Sequence, residues 1–297
     1  MKNNLIELCR QELVGQDFGD LAVSVLDFSK GTFDFIEIYE DNSSKKYFDL
    51  ASVTKPMTLA ASYIIQPEIF TQEMKLLLNH RAGLFSWGRL SNSNWKEQLL
   101  SYPINQSETL YSDFSALRLM LEIEKINKRP LYDTVSIFWD KELKSWIDLL
   151  PDDLVVTTGI RNNKQISGIV HDDNAFVIKQ RVSHAGLFST IQGLSKSLIN
   201  LNNQFNCLEK TFKEFKSHDG TRFLSGWDTA QENSLAGKGC GKFTIGHLGF
   251  TGTSVWIDLE RKIGFVILTN GTSKYWYAKE SLNKLRRSIG TFIWSQY

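Results

Sequence analysis

The sequence predicts an α+β fold: one antiparallel sheet built from both ends of the chain, flanked by terminal helices, with a mainly helical insertion between. Three observations lead there. β-rich segments occur near the start and again near the end of the 297 residues, and alternation marks the first of them. The stretch between them reads mainly as helix with loops. No repeat, low-complexity tract or long linker separates these parts, so both ends serve one body.

Each element has its own signal. The start, MKNNLIELCRQELVGQDF, breaks its apolar residues with Glu7, Arg10 and Glu12. It reads as a short amphipathic helix and not as a secretory leader. Residues 21–28 and 33–40 read as two strands joined by the turn Ser29-Lys30-Gly31-Thr32. Residues 53–65 are apolar nearly all round, the mark of a buried helix. From there to about 230 helices dominate, over 113–127 and 134–150 among others, and the Gly-, Asn-, Asp- and Ser-rich stretch 156–190 reads as loop. Strands return at 252–258 and 263–269 around the turn Leu259-Glu260-Arg261-Lys262, and a helix over about 276–294 closes the chain. The expected organisation is a discontinuous sheet part (1–50 and 231–297) and a helical part (51–230), with the active site at their junction.

Composition narrows the function classes. A formal net charge of +1 with 23% charged residues gives no basic face for nucleic acid or an anionic membrane. No apolar run is long enough to span a bilayer. Cys9, Cys207 and Cys240 are few, odd in number and far apart, which suits a reducing compartment, so a cytoplasmic location is expected. His171-Asp172-Asp173 contains metal-ligand types, but no second His or Cys cluster stands at ligand spacing. A capped loop is the expected role there, and neither a metal nor another cofactor is expected.

The chemistry-bearing pattern is Ser52-Val53-Thr54-Lys55, an S-x-x-K quartet. Ser43/Lys46, Ser93/Lys96 and Ser281/Lys284 match it too. Ser43 and Ser93 lie in polar, loop-like stretches, and Ser281 lies on a polar stripe of the last helix. Only Ser52 opens an apolar helix, where a spacing of three puts Lys55 on the same face and the helix N-terminus favours negative charge on the serine oxygen. Pro56 fits only near a helix start. A serine hydroxyl needs a base, and a lysine can be one if burial lowers its pKa.

Phe48-Asp49-Leu50-Ala51-Ser52-Val53-Thr54-Lys55-Pro56 closely resembles the nucleophile segment of the β-lactamase-related serine hydrolases, which include class C β-lactamases, DD-carboxypeptidases, D-aminopeptidases and esterases. Residues 77–84, LLNHRAGL, resemble a second segment of that family. Tyr111-Ser112-Asp113 resembles its Tyr-Ser-Asn motif. Residues 170–175, VHDDNA, and 184–190, HAGLFST, resemble two more. Residues 246–253, GHLGFTGT, followed by Val255-Trp256-Ile257-Asp258, resemble the strand motif that is Lys-Thr-Gly in β-lactamases and often His-x-Gly in esterases and aminopeptidases. The six segments stand in family order and cover most of residues 20–270.

The resemblance implies a penicillin-binding-protein or β-lactamase-like fold and a set of roles. Ser52 would attack a carbonyl and form an acyl-enzyme. Lys55 would take or hold the proton, and Tyr111 would relay one to the leaving group. The N–H groups of Ser52 and Phe250 would form the oxyanion hole. Asp113, His247, Gly249 and Thr251 would line the substrate site. His80 and His184 are expected to be structural. Two departures matter. Asp113 replaces the usual Asn and would favour the charged form of Lys55, which shifts the base role toward Tyr111. His247 replaces the lysine of Lys-Thr-Gly, so charge recognition at the site is expected to switch near pH ~6.5, the ordinary histidine value. The implied function is a serine hydrolase of small-molecule esters or D-amino-acid peptides, of the peptidoglycan kind. The alternatives are a penicillin-binding-like module with weakened catalysis and, third, a dedicated β-lactamase. Oligomeric state is left open.

Overall fold

The computed structural model describes residues 2–41, 43, 45–274 and 279–297. In chain order its strands are β1 (Leu21–Asp27), β2 (Thr32–Ile38), β3 (Phe48–Asp49), β4 (Leu143–Ser145), β5 (Thr157–Arg161), β6 (Lys164–Ser167), β7 (Leu187–Ser189), β8 (Phe223–Leu224), β9 (Trp227–Thr229), β10 (Thr244–Leu248), β11 (Ser254–Asp258) and β12 (Ile263–Thr269). Seven of them form one antiparallel sheet in the order β2-β1-β12-β11-β10-β9-β8. The first strand of the chain therefore lies beside the last, with Val23 opposite Ile267 and Val25 opposite Phe265.

Both faces of this sheet are covered, which explains why β12 is buried along its whole length and reads as a continuous apolar run. On one face lie the N-terminal helix Lys2–Leu13 and the C-terminal helix Lys279–Trp294. Leu5, Cys9, Leu285, Ile289 and Ile293 pack there against Val23, Val25, Phe265 and Ile267. On the other face the helix Ile191–Phe205 lies over β1, β2 and β12, where Leu194 and Leu198 share a cluster with Ala22, Leu26, Val266 and Leu268. Ser24 on that face is satisfied, since it and Ser195 share a 2.6 Å hydrogen bond.

The helical layer holds the segment Ala51–Ile65 at its centre, packed with Asp113–Asn127 and Leu131–Val135. The helix over 113–127 forms as expected: Ser112 caps it by accepting from the N–H of Ser115, and Lys128 ends it in a left-handed conformation. Other expectations are corrected. The region 134–150 is not one helix, because Leu143–Ser145 leaves the helical path to pair with β7 and the Trp146 N–H donates to the Gly186 carbonyl at 2.8 Å. The stretch 156–190 is not all loop. Asn162 and Asn163, both at positive φ, form the tight turn of the β5–β6 hairpin, and Asp172 caps a helix over Asp173–Ile178.

The division into 1–50 with 231–297 and 51–230 remains a proposal; β8 and β9, at 223–229, lie on the sheet but inside the span given to the helical part. The last helix is described from Lys279, so 276–278 of the expected span fall outside the described residues. No described helix is long and apolar enough to cross a membrane. Leu285 is fully buried between the C-terminal helix and the sheet. Leu285→Ala is expected to lower the unfolding free energy by about 2–5 kcal/mol, checked by denaturant titration.

Candidate active site

The candidate nucleophile sits where the sheet meets the helical layer. β3 pairs with β7 and ends at Asp49. The chain then turns sharply through Ala51, whose φ of +45° is strained for a residue with a Cβ. Four hydrogen bonds hold that turn. Asp49 Oδ1 accepts from the Ala51 N–H at 2.8 Å, and the Leu50 N–H donates to the Leu187 carbonyl at 2.9 Å. From the far side, the Thr251 and Thr253 hydroxyls donate to the carbonyls of Asp49 and Leu50 at 2.6 and 2.9 Å. A Cβ on Gly249 would stand 2.5 Å from the Leu50 carbonyl, so only glycine allows β10 to run this close.

Ser52 follows in a 3₁₀ turn, Ala51–Val53, and a widened turn over Pro56–Ala60 leads into the helix Ala61–Ile65. Such irregular turns collect at functional sites. Lys55 is 2% exposed. Its Nζ lies 3.0 Å from Ser52 Oγ, 3.0 Å from the His184 carbonyl and 2.7 Å from Asp113 Oδ1. Burial alone would lower the lysine pKa, but the Asp113 charge and then Tyr111 outweigh it and hold it above the ordinary value. Lys55 is therefore an ammonium in the resting site, as the aspartate at position 113 leads one to expect.

Tyr111 faces the same ammonium, with Lys55 Nζ 4.9 Å from its ring centroid. Its hydroxyl is buried near Ser52 and Lys55, without a well-formed hydrogen bond. Burial raises its pKa more than the Lys55 charge lowers it, so Tyr111 rests as a phenol. Neighbouring groups fix its position. The Ser112 N–H donates to His80 Nδ1 at 3.2 Å, and the Ser112 hydroxyl donates to the Phe85 carbonyl at 2.6 Å. The His80 ring lies 4.7 Å from both the Tyr111 and Phe223 rings. Burial, and then the Lys55 charge, keep His80 neutral and hence able to accept.

His247 on β10 also lines the cleft, 5.9 Å from the Tyr111 ring. Its Nδ1 lies 2.9 Å from the Leu248 carbonyl. A carbonyl only accepts, so Nδ1 carries the proton and the buried Nε2 keeps a lone pair with no hydrogen-bond partner among the described residues. Burial first, then the Lys55 charge, pull its pKa down to about 3. This corrects the expected switch near the ordinary histidine value: His247 is neutral throughout the physiological range.

Two cavities, of about 340 and 400 Å³, flank this cluster and share Ser52, Tyr111 and Phe250 as common walls. The smaller holds Trp87, Asp113, Asp172 and Asp173. The larger holds His247, Gly249, Arg222, Asp228 and Arg286. The structure thus brings Ser52, Lys55, Tyr111, Asp113, His247, Gly249 and Phe250 to one cleft. Thr251 is the exception. It is 1% exposed and its hydroxyl is used on the Asp49 carbonyl, so it braces the nucleophile turn and does not face the cleft.

A family model described as Beta-lactamase matches residues 73–285. The chain belongs to the beta-lactamase family. Solved structures share its fold over nearly the full length of both chains. A beta-lactamase/D-alanine carboxypeptidase from Pseudomonas syringae is 13% identical, covers 96% of this chain and 98% of its own, and has a TM-score of 0.67. A class C beta lactamase from Rhodobacter sphaeroides is 14% identical, with 99% and 100% covered and a TM-score of 0.66. The simvastatin synthase of Aspergillus terreus is 12% identical, with 99% and 98% covered and a TM-score of 0.65. Among curated proteins, none matches the chain in sequence.

Within this beta-lactamase fold the sequence reading missed several groups. Arg222 closes on Asp228 through two hydrogen bonds of 2.9 and 2.8 Å. Arg286 is 5% exposed, donates to the Gly249 and Thr253 carbonyls at 2.9 Å, and has no carboxylate in reach among the described residues. Both sit at unremarkable places in the sequence, and only the fold brings them beside Ser52. His184 donates through Nε2 to Asp172 at 2.8 Å while its carbonyl holds Lys55. Among the described residues no cluster of three His, Cys, Asp or Glu is placed to hold a metal. With His247 neutral, the relative turnover of matched neutral and anionic esters is expected to stay flat between about pH 5 and 8. His247→Gln should leave that ratio flat too; a ratio that bends near pH ~6.5 in the native protein alone would contradict it.

Proposed function

We propose that the protein is a serine hydrolase that forms an acyl-enzyme on Ser52 and acts on an ester or on a D-amino-acid peptide. The observation that carries this reading is the 3.0 Å contact between Lys55 Nζ and Ser52 Oγ at the floor of a cleft. Family membership adds to it, since members of the beta-lactamase family are serine hydrolases.

The charge states suggest how the proton moves. Lys55 rests as an ammonium and Tyr111 as a phenol, so neither is a ready base. A relay meets this condition: Tyr111 accepts the Ser52 proton while passing its own to the heteroatom that leaves. No phenolate need accumulate, and the Lys55 ammonium stabilises whatever negative charge develops on the phenol. The Ser52 and Phe250 N–H groups are the proposed donors to the carbonyl oxygen as it becomes an oxyanion. A substrate carboxylate would find its positive charge in Arg286, which lines the larger cavity without a carboxylate partner among the described residues, since Arg222 is closed on Asp228 and His247 is neutral. That speaks against the charge recognition of Lys-Thr-Gly β-lactamases.

A second reading has one observation behind it. Asp113 at 2.7 Å ties Lys55 down, as a binding module that has lost turnover would tolerate. Intact-mass measurement separates the two after exposure to a fluorophosphonate and to a penicillin. A hydrolase gains one fluorophosphonate adduct, which peptide mapping places on Ser52 and which Ser52→Ala abolishes. A binding module gains none from the fluorophosphonate.

Tyr111→Phe is expected to slow ester turnover by roughly a hundredfold or more while the fold persists. Asp113→Asn removes the main charge that raises the Lys55 pKa and leaves burial to lower it. The variant should therefore carry a neutral Lys55 at lower pH, seen as a Ser52 labelling profile displaced toward acid. An unshifted profile would mean that Asp113 does not govern the lysine.

A further inference from the structure

Asp49 is a carboxyl group buried to 2% exposure. Its two oxygens are divided between two backbone donors. Oδ1 takes the Ala51 N–H at 2.8 Å, and Oδ2 takes the His171 N–H at 2.7 Å. Its own carbonyl takes the Thr251 hydroxyl at 2.6 Å. One residue thus ties together the strained turn before Ser52, the segment His171-Asp172 that lines the smaller cavity, and the turn that carries Phe250. Among the described residues, no cation balances it. The ionisable groups facing it are His171 and Asp172, and Asp172 is itself an anion through its bond to His184. Neither β7, whose Phe188 stands opposite, nor the 249–253 turn brings a charge.

A buried carboxylate without a counter-charge is an expensive way to brace a turn, and an amide or hydroxyl would do part of the work more cheaply. An anion is the one side chain of this size that accepts from both N–H groups at once with charge-assisted bonds. Resting on the reading of Ser52 as nucleophile, we infer that Asp49 is a positioning residue: as the carboxylate it locks the Ser52 turn to the His171-Asp172 cavity wall, and its protonation loosens that lock and slows acylation.

Protonation falls in an accessible range. Burial raises the Asp49 pKa, the two N–H bonds lower it, the Asp172 charge raises it, and it settles at about 7 against 3.8 for a free aspartate. Between those values the folded protein holds a proton that the unfolded chain has shed. Stability from this group is thus present at low pH and is lost as pH rises toward 7. Activity should move the opposite way, because the ionised form makes both bonds.

The experiment measures the rate of Ser52 labelling by a neutral fluorophosphonate, and the melting temperature, from about pH 5 to 8.5 in wild type and Asp49→Asn. In wild type the rate should rise about tenfold or more through an inflection near neutrality, the scale of a small misplacement of the reacting group. The amide can accept only one of the two N–H bonds and does not titrate. Asp49→Asn should stay near the low-pH rate throughout, lose the inflection, and melt no lower than wild type at the alkaline end. If Asp49→Asn fails to fold, the wild-type profile still decides. Labelling that is flat with pH leaves Ser52 as nucleophile and overturns the role of Asp49. An Asp49→Asn protein that keeps both the rate and the inflection overturns it as well. Absence of labelling at every pH removes Ser52 as nucleophile and this role with it.

Discussion

Two threonine hydroxyls clasp the turn before Ser52. Those of Thr251 and Thr253, on the sheet side, take the Asp49 and Leu50 carbonyls on the helical side. This clasp joins the sheet to the helical layer at the point where the proposed nucleophile and oxyanion donor meet. It also explains why Ala51 can sit at a positive φ. Strain of that kind persists only where the surroundings over-determine it, and here hydrogen bonds from three segments do so. Arg286 extends the same arrangement by holding the Gly249 and Thr253 carbonyls from the C-terminal helix. The C-terminal helix therefore supports the site as well as covering the sheet.

Electrostatics in the cleft follow from burial. Lys55 keeps its charge because Asp113 is in direct contact, whereas His80 and His247 lose theirs to burial beside that same ammonium. An ion pair of Lys55 and Asp113 beside Ser52, with neutral rings around it, results. Such an environment favours developing negative charge on nearby oxygens without supplying a strong base at rest. Of the two arginines that line the larger cavity with Ser52, Arg222 is balanced by Asp228 and Arg286 has no carboxylate partner among the described residues.

Much of this was legible in the sequence because it depends on local order. The alternation of 21–28 and the apolar run 263–269 mark strands whatever they pair with. An apolar segment opened by Ser52 with a lysine three residues on marks a buried helix start. Ser112 before an apolar run marks the cap that holds Tyr111. The two-asparagine turn at 162–163 carries a hairpin signal that a loop-like composition masks, since its flanking strands are short and half-exposed. The breakdown of 134–150 into short pieces was not legible, because β4 exists only where β7 offers it a partner.

By itself the sequence determined the fold class and the order of the motifs, and it singled out Ser52 as the candidate among four serines with the same spacing. Those features rest on propensity, capping and hydrophobic period, which neighbours along the chain control. Only the tertiary structure decided the protonation states and which polar residues face the cleft. Thr251 reads as a substrate contact and is a brace; His247 reads as a pH switch and is buried and neutral; Asp49 reads only as part of the segment leading to Ser52 and ties the turn before Ser52 to a cavity wall. The reason is physical: a pKa and a hydrogen-bond partner depend on burial and on charges brought together across more than a hundred residues, as Asp49 and His171 are. No local pattern encodes that distance.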